Sequence, residues 1–162
     1  MHRLEIERVF RCRVADEAAF RAASRASEIR QGYLSGDGDP TVRVRQRGDR
    51  WILTFKAGSG MVRDEIEFAI PAAKGQALMR LAGSRIVEKT RRVAGRWEVD
   101  FYHGDLDGLV TADCELSRPD EPLPPPPPGI ELVREVTEDP RYTNRYFASA
   151  NTEERRAIVA DE

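Results

Sequence analysis

Apolar and polar residues alternate with a period of two over much of the chain, which is the signature of β-strands with one apolar face. Residues 3–13 set Leu4, Ile6, Arg8, Phe10 and Cys12 on one side and Glu5, Glu7, Val9 and Arg11 on the other. Similar strands are expected at 27–34, 41–47, 50–57, 61–70, 84–93, 96–103, 109–117 and 130–137. Gly48-Asp49 reads as a hairpin turn, and the run SGDGDP after Leu34 as a loop. Two segments break the period. The alanine-rich stretch 15–26, with Asp16 as N-cap, and residues 71–82, with Pro71 at the first helical position, are expected as helices. Residues 140–148 suggest a helical turn, and 152–160 a polar terminal helix prone to fraying. Between Pro119 and Pro128 lie seven prolines, five of them consecutive. Such a run holds an extended polyproline conformation and reads as a stiff connector, ahead of a ligand for a proline-binding module.

On these strands, charge also recurs at i and i+2. Glu5 and Glu7 form one pair, and Arg43 and Arg45 the next. Thr54 and Lys56, Glu65 and Glu67, Lys89 and Arg91, and Asp113 and Glu115 follow. A strand presents i and i+2 on one face, so each strand offers a charged face and an apolar face. A solvated amphipathic sheet would account for this equally well on pattern alone. Three features favour charges that point inward. Acidic and basic pairs are segregated by strand. Two of the three lysines fall in the pairs, although the chain otherwise uses 23 arginines. The two internal helices are placed to cover an outward apolar face. The expected fold is therefore mainly β: an eight-stranded antiparallel barrel forming a tunnel, flanked by a few helices. A lumen of arginines and lysines repels itself unless a polyanion lies among them, and phosphate chains suit arginine forks and lysine charges. Carboxylates in the same lumen suit a hard divalent cation, Mg²⁺ or Mn²⁺.

Composition narrows the classes. The chain has 162 residues, 26 basic and 28 acidic, so one domain with net charge -2 is expected. That balance argues against a nucleic-acid or membrane-surface partner. Cys12 and Cys114 lie far apart, with no metal-ligand spacing, and His2 and His103 are the only histidines. A soft-metal site or a histidine-based nucleophile is disfavoured. Without an apolar run of membrane-spanning length or a secretory start, a cytoplasmic protein is the default.

The motifs, in order, resemble those of the CYTH, or triphosphate tunnel metalloenzyme, superfamily. Glu5-Ile6-Glu7-Arg8 resembles its ExExK opening, Gln31-Gly32-Tyr33-Leu34 its QGYL and Val42-Arg43-Val44-Arg45 its VRxR. Leu53-Thr54-Phe55-Lys56 resembles LTxK, and Glu65-Ile66-Glu67 the second ExE. Lys89-Thr90-Arg91 resembles KxR, and Ala112-Asp113-Cys114-Glu115-Leu116 the AEIEL element. Val136-Thr137 with Arg141-Tyr142-Thr143-Asn144 resembles the C-terminal VTxDxRYxN. The resemblance spans residues 3–148 and implies one tunnel domain over 1–148, with connector 119–128, and a polar tail or helix at 149–162.

It also implies roles. Arg43, Arg45, Lys56, Lys89 and Arg91 would cradle phosphates. Glu5, Glu7, Asp113 and Glu115 would hold metal, with Glu65 and Glu67 completing the acidic wall. Tyr33, Glu7 and Lys56 are the expected catalytic set. One position departs from the pattern: the lysine that closes ExExK, associated in the family with the tyrosine matching Tyr33, is Val9 here. Arg11, two residues on and on the same face, is the candidate substitute. The leading expectation is metal-dependent hydrolysis of a triphosphate, with inorganic tripolyphosphate as substrate. A class IV-type adenylate cyclase and a non-catalytic polyphosphate or nucleotide binder are the alternatives, and a homodimer stays open.

Overall fold

A computed structural model describes residues 1–161. Nine strands run in chain order: β1 (His2–Val14), β2 (Arg25–Tyr33), β3 (Thr41–Arg47), β4 (Arg50–Ala57), β5 (Val62–Ile70), β6 (Ile86–Ala94), β7 (Trp97–Tyr102), β8 (Val110–Glu115) and β9 (Ile130–Glu135). Four helices accompany them: α1 (Glu17–Ala23), α2 (Ala72–Ala82), α3 (Asn144–Ser149) and α4 (Thr152–Ala160). All the pairings are antiparallel, in the order β5-β4-β3-β2-β6-β7-β8-β1-β9. The long first strand closes the ring. Its N-terminal half pairs with β5 (Arg3 opposite Glu65), and its middle pairs with β8 (Val9 opposite Asp113). Its C-terminal half takes β9 as a ninth strand outside the closure. The result is a closed eight-stranded antiparallel barrel, as expected, with one strand added.

The apolar faces point outward, and the core lies between the barrel and what covers it. Val44, Trp51 and Met79 form one cluster under α2. Two glycines make that approach close. A Cβ on Gly75 would enter the Trp51 ring, and one on Gly32 would lie 2.7 Å from the Ala82 Cβ. A second cluster joins Ile6, Phe10, Trp97, Val99 and Ile130 to Phe20 of α1. The proline run crosses this side. The Trp97 indole N–H donates to the Pro125 carbonyl at 2.8 Å, and Leu123 packs on the cluster, so the connector is seated on the barrel. Trp51 and Trp97 are thus packing residues, and both cysteines are free and buried.

A third cluster closes one end of the barrel. Tyr33, Tyr102, Leu106, Leu109, Val136, Tyr142, Phe147 and Ile158 pack together, with Val9 against them. Here the structure corrects two expectations. The terminal helix α4 is docked: Asn151 and Glu154 form a reciprocal capping box, Ile158 is buried, and the Thr152 hydroxyl donates to Asp105 at 2.9 Å. Arg155, on this helix, donates to the Phe147 and Ala148 carbonyls at the end of α3. Elsewhere the helix expected over 15–26 stops at Ala23, because Arg25–Gly32 pairs with β6 and ladder bonding outweighs alanine's helical preference.

Candidate functional site

Because β3 turns its valines outward, its arginines face the lumen. Arg43, Arg45 and Arg47 line a cavity of about 590 Å³ inside the barrel. Lys56 enters from β4, Lys89 and Arg91 from β6, Glu5, Glu7 and Val9 from β1, Glu65 and Glu67 from β5, Asp113 from β8, and Tyr33 from β2. Eleven of the thirteen residues singled out by sequence therefore converge on one cavity.

The other two are placed differently. Arg11 is absent from the lining. Its guanidinium donates to the Ile158 and Val159 carbonyls, each at 2.7 Å, and so holds the C-terminal end of α4. It does not stand in for the missing lysine. Alternation put Arg11 on the inner face correctly, but that part of β1 lies under the closed end. Glu115 is half-exposed and pairs with Arg3 at 2.5 Å, outside the cavity lining.

Inside, the charges sort into groups. Glu5 and Glu65 are neutralised: Lys56 Nζ lies 2.7 Å from Glu5 and 3.5 Å from Glu65, and Arg3 lies 3.1 Å from Glu65. Glu67 accepts from the Thr54 hydroxyl at 3.4 Å. A second group surrounds Asp100, on β7. Asp100 is fully buried and accepts from Arg91 at 2.7 and 2.8 Å and from Lys89 at 2.6 Å. This pairing outweighs the desolvation of its carboxyl and holds it well below the usual carboxylate range. Arg91 is correspondingly raised, whereas burial, opposed by Asp100 and aided by Arg91 and Arg45, brings the Lys89 amine down to about 7. Arg45 is lowered to about 9 by burial and by repulsion from Arg43 and Arg91.

Two carboxylates lack such compensation. Asp113 is pushed well above its ordinary range, first by desolvation, then by repulsion from Glu7 and Asp100. Its Oδ1 is buried with no hydrogen-bond partner. Glu7 is raised by burial and by Glu5 against the pull of Lys56, and Arg63 approaches it only to 3.9 Å. Among the described residues, no three acidic, histidine or cysteine side chains gather as a ready-made metal site. A hard cation that keeps water and phosphate oxygens in its shell needs only one or two carboxylates, so Glu7 and Asp113 fit one.

Sequence reasoning passed over several charged lining residues, among them Arg47, Arg50, Glu98 and Arg63. The first continues the i, i+2 habit of β3 and could have been found by extending it. Fully buried Gln31 was quoted only as a motif letter, and Asn144, which accepts from Lys89 at 3.0 Å, likewise.

A closed antiparallel barrel whose lumen is lined by many arginines and lysines beside two carboxylates paired only at long range is a polyanion-binding tunnel. Comparison with known proteins agrees. The chain is 38% identical to an inorganic triphosphatase of Acetivibrio thermocellus over 146 residues, 86% of this chain and 90% of that one. It is 33% identical to an inorganic triphosphatase of Nitrosomonas europaea over 154 residues, 89% of this chain and 96% of that one. A crystal structure of an inorganic triphosphatase superposes with TM-score 0.60 at 32% identity, covering 91% of this chain and 95% of that one. No family model matches the sequence. The chain belongs to the CYTH, or triphosphate tunnel metalloenzyme, family.

Proposed function

We infer that the protein is a triphosphatase that hydrolyses inorganic tripolyphosphate with the help of a divalent cation, magnesium or manganese. The observation that carries this reading is the pairing, in one cavity, of a cation wall (Arg43, Arg45, Lys56, Lys89, Arg91) with two under-compensated carboxylates, Glu7 and Asp113. The relatives' activity supports the reaction class.

The tunnel's own residues do most of the work. Arginine forks and lysine charges hold the phosphate chain and stabilise charge on its oxygens as the terminal P–O bond breaks. Lys56 stands between Glu5 and Glu65, which orient its ammonium toward the cavity. Tyr33 offers a hydroxyl at the closed end. Glu7 and Asp113 would hold the cation, and what it supplies when bound is Lewis-acid polarisation of a phosphoryl oxygen. Glu5, Glu65 and Glu115, already paired with Lys56 and Arg3, are assigned to positioning those cations, and Glu67 is held by the Thr54 hydroxyl. No helix of the described residues is long and apolar enough to cross a membrane.

A second reading rests on Val9, which puts an aliphatic side chain in the lining: a tripolyphosphate binder with little turnover. One assay separates them. Phosphate release from tripolyphosphate and from ATP is followed with Mg²⁺ or Mn²⁺, beside a Glu7→Gln control. Metal-dependent release from tripolyphosphate that is lost in the control is the expected result. Thermal stabilisation by tripolyphosphate without release would establish the binder, and pyrophosphate release from ATP a cyclase.

A further inference from the structure

Gln31 is fully buried in the barrel wall, on β2 opposite Arg45. Its amide is fixed from both sides. The Arg45 Nε–H donates at 3.0 Å and can only donate, so it must meet the carbonyl oxygen of Gln31. The amide nitrogen then faces Tyr33 and donates to its hydroxyl at 3.0 Å. A tyrosine hydroxyl has one proton and two acceptor positions. Gln31 fills one of these positions, and Arg43, another obligate donor, stands directly opposite Tyr33 on the paired strand. Val9, packed against the cluster that holds Tyr33, is aliphatic and brings no acceptor, and among the described residues the Tyr33 hydroxyl donates to no protein group. The phenolic proton therefore has one direction left, into the cavity that Tyr33 lines.

We propose that Gln31 is a positioning residue for phosphate binding: the order Arg45, Gln31, Tyr33 makes the Tyr33 hydroxyl an obligate donor to an anionic phosphate oxygen in the tunnel. The inference rests on the tunnel taking a phosphate chain, but not on turnover. The same relay ties Arg45 to Tyr33, so a cation and a neutral donor are presented to the ligand as one unit.

Reversal of the amide's polarity tests this. Gln31→Glu keeps the volume and the acceptor for Arg45, but it replaces the donor with an acceptor, so the Tyr33 proton turns toward Glu and away from the cavity. An added carboxylate also repels phosphate, and a double-mutant cycle removes that contribution. Tripolyphosphate affinity is measured by calorimetry in EDTA, where metal-dependent hydrolysis does not occur, for the wild type, Gln31→Glu, Tyr33→Phe and the pair. Gln31→Glu should weaken binding about tenfold more in the Tyr33 chain than in the Tyr33→Phe background, the loss expected for a hydrogen bond to a charged group. Equal losses in both backgrounds would overturn the proposal, because the change would then act by charge or packing alone. Should Gln31→Glu not fold, Gln31→Met replaces it in the same cycle. Phosphate release by the wild type with Mg²⁺, measured separately, tells a failure of the hydrolase reading from a failure of this one.

Discussion

Lys89 is the residue whose protonation the site sets most finely. It is buried with Asp100 but shares that carboxylate with Arg91, which takes two hydrogen bonds of its own. The amine yields, to about 7, with burial the largest cause. The phosphate-attracting form is the protonated one, so tripolyphosphate affinity should fall as pH rises through 7, and Lys89→Met should flatten that part of the binding profile. Stability runs the opposite way. Between 7 and the ordinary lysine value the unfolded chain binds the extra proton, so this group's contribution to stability grows with rising pH. A second prediction concerns Val9. Replacing it with lysine puts a cation back beside Tyr33, and kcat/KM for tripolyphosphate should rise several-fold. The same change charges an apolar cluster, so the melting midpoint should drop, by roughly 1–3 kcal/mol of stability. Unchanged kcat/KM and unchanged affinity would show that position 9 is irrelevant to the reaction.

At the level of elements, the contact between β1 and α4 is the one most at odds with the sequence pattern. Arg11 satisfies two carbonyls at the C-terminal end of α4, and its charge suits that end of the helix dipole. Arg11→Met should remove both bonds and cost about 2–4 kcal/mol. Amides of the last turn of α4 should then exchange faster with solvent. The KM for tripolyphosphate should stay within about twofold, since Arg11 is not in the lining; a large rise would return it to the binding site. This residue also shows what the sequence could carry. Period-two alternation placed every strand, and the inner face of β1 followed from it, because a strand's side-chain direction is local geometry. How far along the tunnel each inner residue sits was not local. It depends on the stagger that pairs β1 with β5, β8 and β9 in turn. Arg11 fell under the closed end and Glu115 beyond the lining for that reason. The division of the acidic residues into closely and distantly paired likewise depends on which cation each one meets across the barrel. The proline run was legible as a connector, but its seat on Trp97 comes from a partner 28 residues away.

The whole molecule is a barrel built around charges that do not balance one another locally. Net charge is only -2, yet the lumen gathers Arg43, Arg45, Lys56, Lys89 and Arg91, and Arg45 is lowered to about 9 by burial and by its neighbours. The unfolded chain holds these cations apart in water, so the burial and repulsion that Arg45 meets from Arg43 and Arg91 are a cost of folding that a bound polyanion relieves. A multivalent phosphate should therefore stabilise the fold beyond what simple ionic strength does. At a hundredfold excess over its dissociation constant, a ligand of the folded state adds about 2.7 kcal/mol. For a chain of this size that corresponds to a rise in melting midpoint of roughly 5–10 °C. Tripolyphosphate in EDTA should give that shift, and sodium chloride at matched ionic strength should give far less. Arg45→Met should shrink the shift, because it removes a phosphate contact, while in the free protein the relief of a repelling charge is offset by the buried Gln31 carbonyl that loses its donor. A lower free midpoint with a full shift would mean that Arg45 serves the wall of the barrel rather than its contents.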